Sequence, residues 1–149
     1  MPNGDLKYNL WTHSHEDLIR FFGLKDTAGI RGEPRFARVE FCPEDTRDMD
    51  DLDKYALIID EALRPEWFDD KTEKSVVDRL KIIVSGIIIS GEADLLCGGV
   101  FILARGAKIS CVKNCTILVM CDSSTVGEMR DSSKVGEMRG LSTVGEMRG

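Results

Sequence analysis

His13 and His15 stand one residue apart, beside Glu16 and Asp17. An H-x-H pair on a strand can chelate a divalent metal, with carboxylates completing the site. This pair falls where a helix is expected to begin, so its rings need not converge. A capping or packing role competes with the metal reading. No H-E-x-x-H or other zincin spacing is present. Cys97, Cys111, Cys115 and Cys121 lack the tight C-x₂-C knuckles of a structural zinc site, and small core residues are the better reading. Cys42, followed by Pro43, is a lone thiol for which a histidine-assisted nucleophile is conceivable. Glu44, Asp45, Asp48, Asp50, Asp51 and Asp53 form a dense acidic run. It lacks the D-x-D-x-D-G frame and closing glutamate of a calcium loop. It reads as a solvated loop or, more sharply, as a mimic of a phosphate backbone that docks on a Lys/Arg-lined groove. There is no G-x-G-x-x-G, P-loop or G-x-S-x-G motif. A non-enzymatic protein without cofactor or metal is expected. The alternative is a metal-dependent enzyme with its site near His13 and His15.

The element that must position these groups is the tail. From Ser124 onward it reads STVGEMRDS, SKVGEMRGL, STVGEMRG, a nine-residue phrase given three times. Fixed short-period self-similarity marks a solenoid. In register, Val126, Val135 and Val144 share one column, Met129, Met138 and Met147 a second, and Ser124, Ser133 and Ser142 a third. Degraded copies lie upstream at Cys115, Ile117 and Met120, at Ala107, Ile109 and Val112, and at Gly98, Val100 and Leu103. The repeat is expected from about Leu95. The glycine after each valine (Gly127, Gly136, Gly145) is expected to permit a turn or kink. Two phrases per turn, roughly eighteen residues, would close a flattened coil. Its strands would stack about 4.8 Å apart, with Val126 on Val144 and Val135 on the opposite wall. Glu128, Arg130, Glu137, Arg139, Glu146 and Arg148 would form a solvated mixed-charge face. Thr125 and Thr143 invite comparison with ice-binding arrays, but Lys134 is expected to interrupt the column. Gly149 closes a complete repeat with no polar cap after it. A bare last coil would expose Leu141, Val144 and Met147 with unpaired backbone groups. A homodimer or oligomer through that end, a covering partner, or a frayed coil would follow.

Ahead of the tail, Ser14 reads as the N-cap of a helix His15–Phe22 stopped by Gly23. Residues 6–12 suggest a short strand or extended lead-in. Arg35–Phe41 alternates as a strand ended by Pro43, and Tyr55–Ile59 reads as a second strand. Pro65 is placed at the first turn of a helix, with Trp67 and Phe68 inward. Lys71–Ile83 is an amphipathic helix with Val76, Val77, Leu80 and Ile83 on one stripe. The expected fold is an α+β N-terminal domain over residues 1–82, capping a C-terminal β-solenoid over 83–149 built from nine-residue repeats, about two per turn.

The composition is that of a soluble protein, 42% apolar and 31% charged. The net charge of −6 is uneven, residues 1–80 carrying 19 acidic against 12 basic side chains. That half disfavours direct contact with nucleic-acid phosphates and suits a protein partner with a basic surface. No signal peptide or membrane span is read, and five cysteines fit a reducing compartment, so a cytoplasmic location is expected.

The stretches HSHEDLIRFFGLKD, RVEFCPED and IIDEALRPEWFDD, followed by short SSTVGEMR-like repeats, resemble uncharacterised proteins of phages and mobile elements of gut bacteria. The resemblance covers most of the chain. It implies a mobile-element origin, a cytoplasmic product and a variable copy number of repeats, and it transfers no activity and no functional residue. With such an origin, the most specific expectation is inhibition of a host nucleic-acid-handling defence such as a CRISPR effector. A self-assembling structural β-solenoid is a further alternative.

Overall fold

The computed structural model describes residues 5–10, 14–25 and 34–149. The chain divides into two compact units, one of Met1–Cys42 with Ala56–Leu80, the other of Pro43–Tyr55 with Lys81–Gly149.

In the first unit, α1 spans His15–Phe21, and the Ser14 hydroxyl accepts from the Asp17 amide at 3.2 Å. That bond satisfies one of the free donors at a helix start. Gly23 stops the helix with φ of 60°, a left-handed conformation that costs glycine little. Of the short strand or extended lead-in expected over residues 6–12, no strand forms over residues 6–10, and residues 11 and 12 lie outside the described residues. Strand β1 (Val39–Pro43) pairs with β2 (Tyr55–Ile59) in a two-stranded sheet. Pro43 ends β1 as expected, being its last residue, where an edge strand needs no ladder donor; the strand starts at Val39 and not at Arg35. Pro65 does not open a helix either. Its carbonyl accepts from Phe68 N at 3.0 Å in a turn, and Pro65 and Phe68 are both buried. Helix α2 (Asp70–Ser85) starts after Asp69, whose carboxylate accepts from the Thr72 amide at 2.8 Å. A side-chain acceptor was available at Asp69 and none at Arg64, so the helix starts where it is capped.

The second unit is a β-solenoid of about four turns over residues 88–148. Its first strand lies within the 83–149 expected for the solenoid but upstream of Leu95, from which the repeat columns were read, because Ile88 and Ile89 already pair with Ile102 and Leu103. Strands β4 (Glu92–Cys97), β6 (Lys108–Lys113), β8 (Thr125–Arg130) and β10 (Thr143–Arg148) form one parallel sheet. Strands β3 (Ile88–Ile89), β5 (Val100–Leu103), β7 (Thr116–Met120) and β9 (Lys134–Met138) form the other. Val144 lies on Val126 and Met147 on Met129, residue for residue. The core between the sheets holds Leu103, Ala107, Ile109, Val112, Cys115, Ile117, Met120, Val126 and Met129, with Val135 and Val144 packed against it. All three upstream copies of the repeat columns are represented there.

Val126 and Met129 both point inward with Gly127 and Glu128 between them. Strict alternation is thus broken once per strand, while the register with the neighbouring strands stays constant on both sides of the break. The glycines sit at that break, inside the strands; of the turn or kink expected there, no turn forms. A Cβ on Gly127 would lie 2.7 Å from the Ser110 carbonyl oxygen of the neighbouring strand, so close backbone approach explains the residue. The corners are made elsewhere, with positive φ at Gly106, Asn114, Ser123, Asp131 and Gly140. Glycine, asparagine and aspartate are the residues that visit this region most readily. The threonine column is also interrupted differently: Lys108 pairs with Thr125, whereas Lys134 lies in the other sheet.

Candidate functional site

The acidic run belongs to the solenoid unit, not to the front domain in which the sequence reading had placed it. Its backbone is shaped by its own aspartates. Asp45 caps a 3₁₀ turn over Thr46–Asp48, accepting from the Arg47 amide at 2.9 Å. Asp51 caps a second over Leu52–Lys54, accepting from the Asp53 amide at 3.1 Å. The Tyr55 hydroxyl donates to the Met49 carbonyl at 2.8 Å.

Two solenoid arginines hold this segment. The Arg105 backbone amide donates to Asp50 Oδ2 at 2.8 Å. Its guanidinium donates to the Arg47 carbonyl at 3.0 Å and lies 3.2 Å from Asp48 and 3.4 Å from Asp50. Arg139 donates to the Thr46 carbonyl and pairs with Glu137 at 2.7 Å. Beneath them Met49 packs on Ile102, Val119 and Cys121. Burial, and then the charge of Asp50, pushes the Cys121 thiol up to about 11.

The six acidic side chains are therefore not equivalent. Asp48 and Asp50 face Arg105, and the Asp50 side chain is only 9% exposed. Asp45 is clamped by Arg47 at 2.6 Å, whose hydrogen bonds hold its carboxyl at about 2. Asp51 is a cap. Glu44 and Asp53 are exposed, and neither has an ion-pair partner among the described residues. Glu44, Asp45, Asp48, Thr46 and Lys54 line an open depression of about 590 Å³. The arrangement can present a fixed anionic surface to a cationic one. The sequence reading did not single out Arg105 or Met49, and it placed Arg139 on a solvated mixed-charge face without a link to the acidic run.

His15 Nε2 is 3.4 Å from the Val39 carbonyl, and His13 lies outside the described residues. Among the described residues no group of three or more His, Cys, Asp or Glu could hold a metal ion. Cys115 and Cys121 are buried and Cys97 is exposed. The Cys115 thiol contacts the Lys113 carbonyl at 3.1 Å, and burial raises its pKa. Burial and then Glu40 also raise Cys42, the reverse of what an activated nucleophile needs. Among the described residues, no helix is long and apolar enough to cross a membrane. Leu141 and Met147 are exposed at 78% and 69%, and Val144 is half-buried. In comparisons with known proteins, the chain matches no protein-family model, no curated protein and no solved structure.

Proposed function

We propose that this chain is a non-enzymatic protein-interaction module of the cytoplasm. The acidic segment Glu44–Asp53 docks on a basic surface of a protein partner, and the solenoid is its rigid base. In the most specific form the partner is a host nucleic-acid-handling defence such as a CRISPR effector, whose phosphate-binding groove the segment occupies. The resemblance to phage and mobile-element proteins supports that version. The observation that carries the reading is the double clamp by Arg105 and Arg139 over the Met49 anchor. A segment ordered before binding does not lose that entropy on association, and its exposed carboxylates steer a cationic partner.

The base is read as two nine-residue phrases per turn. Thr143 pairs with Thr125 and Lys134 with Thr116, partners one double phrase apart. Shorter copies upstream, with Lys108 paired to Glu92, close the same turn with fewer residues.

The test is capture from a host bacterial lysate, identification by mass spectrometry, and titration of the purified partner against salt. A basic partner whose affinity falls at least about tenfold between low and high salt is expected. Glu44→Lys with Asp53→Lys should remove binding, and Arg105→Ala should weaken it by loosening the segment. Salt-independent affinity, or binding indifferent to the charge reversals, contradicts the proposal.

A further inference from the structure

The pentapeptide Val-Gly-Glu-Met-Arg occurs three times, ending at Arg130, Arg139 and Arg148. Each arginine pairs with the glutamate two residues before it, at 2.5, 2.7 and 2.8 Å. The local chemistry is the same in all three copies, and the surroundings are not. Arg130 and Arg148 stand in one sheet, in register with each other and with Lys113, and their side chains are 51% and 61% exposed. The Arg139 side chain is 17% exposed. It follows β9 in the opposite sheet, where its amide donates to the Met120 carbonyl at 3.0 Å, as the Cys121 amide donates to the Leu103 carbonyl at 2.9 Å. Arg139 thus stands one strand beyond Cys121, on the face that Met49 covers, and its guanidinium reaches the Thr46 carbonyl.

We infer that the repeat tail regulates the acidic segment through phrase position: the arginine of the phrase that lies on β7, and no other copy, clamps the segment, and any copy moved to that place takes over the clamp. Thr46 lies between Asp45 and Arg47, so holding its carbonyl holds the carboxylates of Glu44, Asp45 and Asp48 that line the depression. Arg139 is therefore a positioning residue, acting through the backbone of the segment. Successive phrases lie in opposite sheets, so removing nine residues moves each following arginine from one wall to the other. Without residues 134–142, Thr143–Arg148 would follow β8 and lie on β7 in the place of β9, with Arg148 at the step of Arg139. The two strands differ only in having Thr143 for Lys134. Two phrases suffice for the clamp, and with one the segment keeps Arg105 alone. The consequence for docking rests on the partner reading, whereas the clamp itself is internal to the chain.

The test is maleimide labelling of the folded protein with no partner present, read peptide by peptide by mass spectrometry. Cys121 packs with Met49 on the outer face, whereas Cys115 faces the core between the sheets, so the two thiols separate a released segment from a loosened fold. Arg139→Ala should speed Cys121 labelling by about tenfold or more through local opening and leave Cys115 protected. Arg139→Lys, which keeps a donor for the Thr46 carbonyl, should restore most of that protection. Arg130→Ala and Arg148→Ala should leave both thiols at the parent rate. Deletion of residues 134–142 should keep Cys121 protected, and Arg148→Ala in that shorter chain should release it. Equal effects of the three alanine variants overturn the inference. So do Cys115 and Cys121 opening together in Arg139→Ala, and a shorter chain whose Cys121 labels as fast as that of Arg139→Ala. A basic partner that binds the parent and Arg139→Ala equally, with the labelling contrast intact, contradicts the docking reading and leaves the clamp standing.

Discussion

The strands β8 and β10 have the same six residues and opposite surroundings. Met129 of β8 is 2% exposed and its equivalent Met147 is 69% exposed. Glu128 lies between Arg130 at 2.5 Å and Arg148 of the next strand at 3.1 Å, whereas Glu146 pairs, among the described residues, with Arg148 alone. Sequence assigns each residue its inward or outward direction in both strands. How much that direction contributes depends on whether another strand lies above it. A repeat that cannot enclose a core by itself takes its stability from its neighbours.

The largest expected difference comes from truncating the methionines. Met129→Ala should cost about 2–5 kcal/mol, because the surrounding strands relax only partly into the cavity. Met147→Ala should cost no more than about 0.5 kcal/mol, as at ordinary surface positions. Urea unfolding of both variants measures the contrast, and equal losses would break it.

The glycines give the next. Gly127→Val forces a side chain into the Ser110 carbonyl and is expected to cost about 1–3 kcal/mol. The same change at Gly145 meets the Gly127 carbonyl at 2.6 Å, but β10 is free to shift outward. Its midpoint should move less than half as far in the same titration.

The smallest difference is in acid. Glu128 is held below the ordinary glutamate range by its hydrogen bond from Arg130 and then by the charges of Arg130 and Arg148. A depressed folded pKa gives stability that is fully present above the unfolded value, about 4.3, and lost as pH falls through the lower folded one. Thermal unfolding of the parent should therefore weaken from about pH 5 downward. Glu128→Gln should flatten that slope.

Thiol labelling sharpens the same inside–outside contrast without mutation. Cys97 should react with a maleimide at once in the folded protein, and Cys121, buried and with its pKa pushed up to about 11, only on unfolding. Mass spectrometry of the labelled peptides distinguishes them.

Much of the solenoid was legible in the sequence because identical residues recur at a fixed step. The column positions Ile109, Val112, Ile117 and Met120 could be extrapolated upstream from the valines and methionines, and all four are buried. The role of Gly127 was not legible. It depends on a carbonyl in the neighbouring strand, and local sequence cannot distinguish a glycine that turns from one that is crowded. The candidate site was legible only as charge. Six acidic residues in one run suggested a uniform surface, yet Asp48 and Asp50 face Arg105, more than fifty residues further along the chain. Such a pairing has no period to read. The capping roles of Asp45 and Asp51 were within reach, since an aspartate two or three residues ahead of a polar turn commonly serves this way.

Methyl-labelled nuclear magnetic resonance tests the stacking most directly. In-register parallel strands place Val126 beneath Val144, with Val135 across the core from both. Strong through-space contacts between the Val126 and Val144 methyls, with weaker ones to Val135, are the expected result. Contacts confined to residues three or four apart, or no contact between Val126 and Val144, would contradict the stacked-strand account.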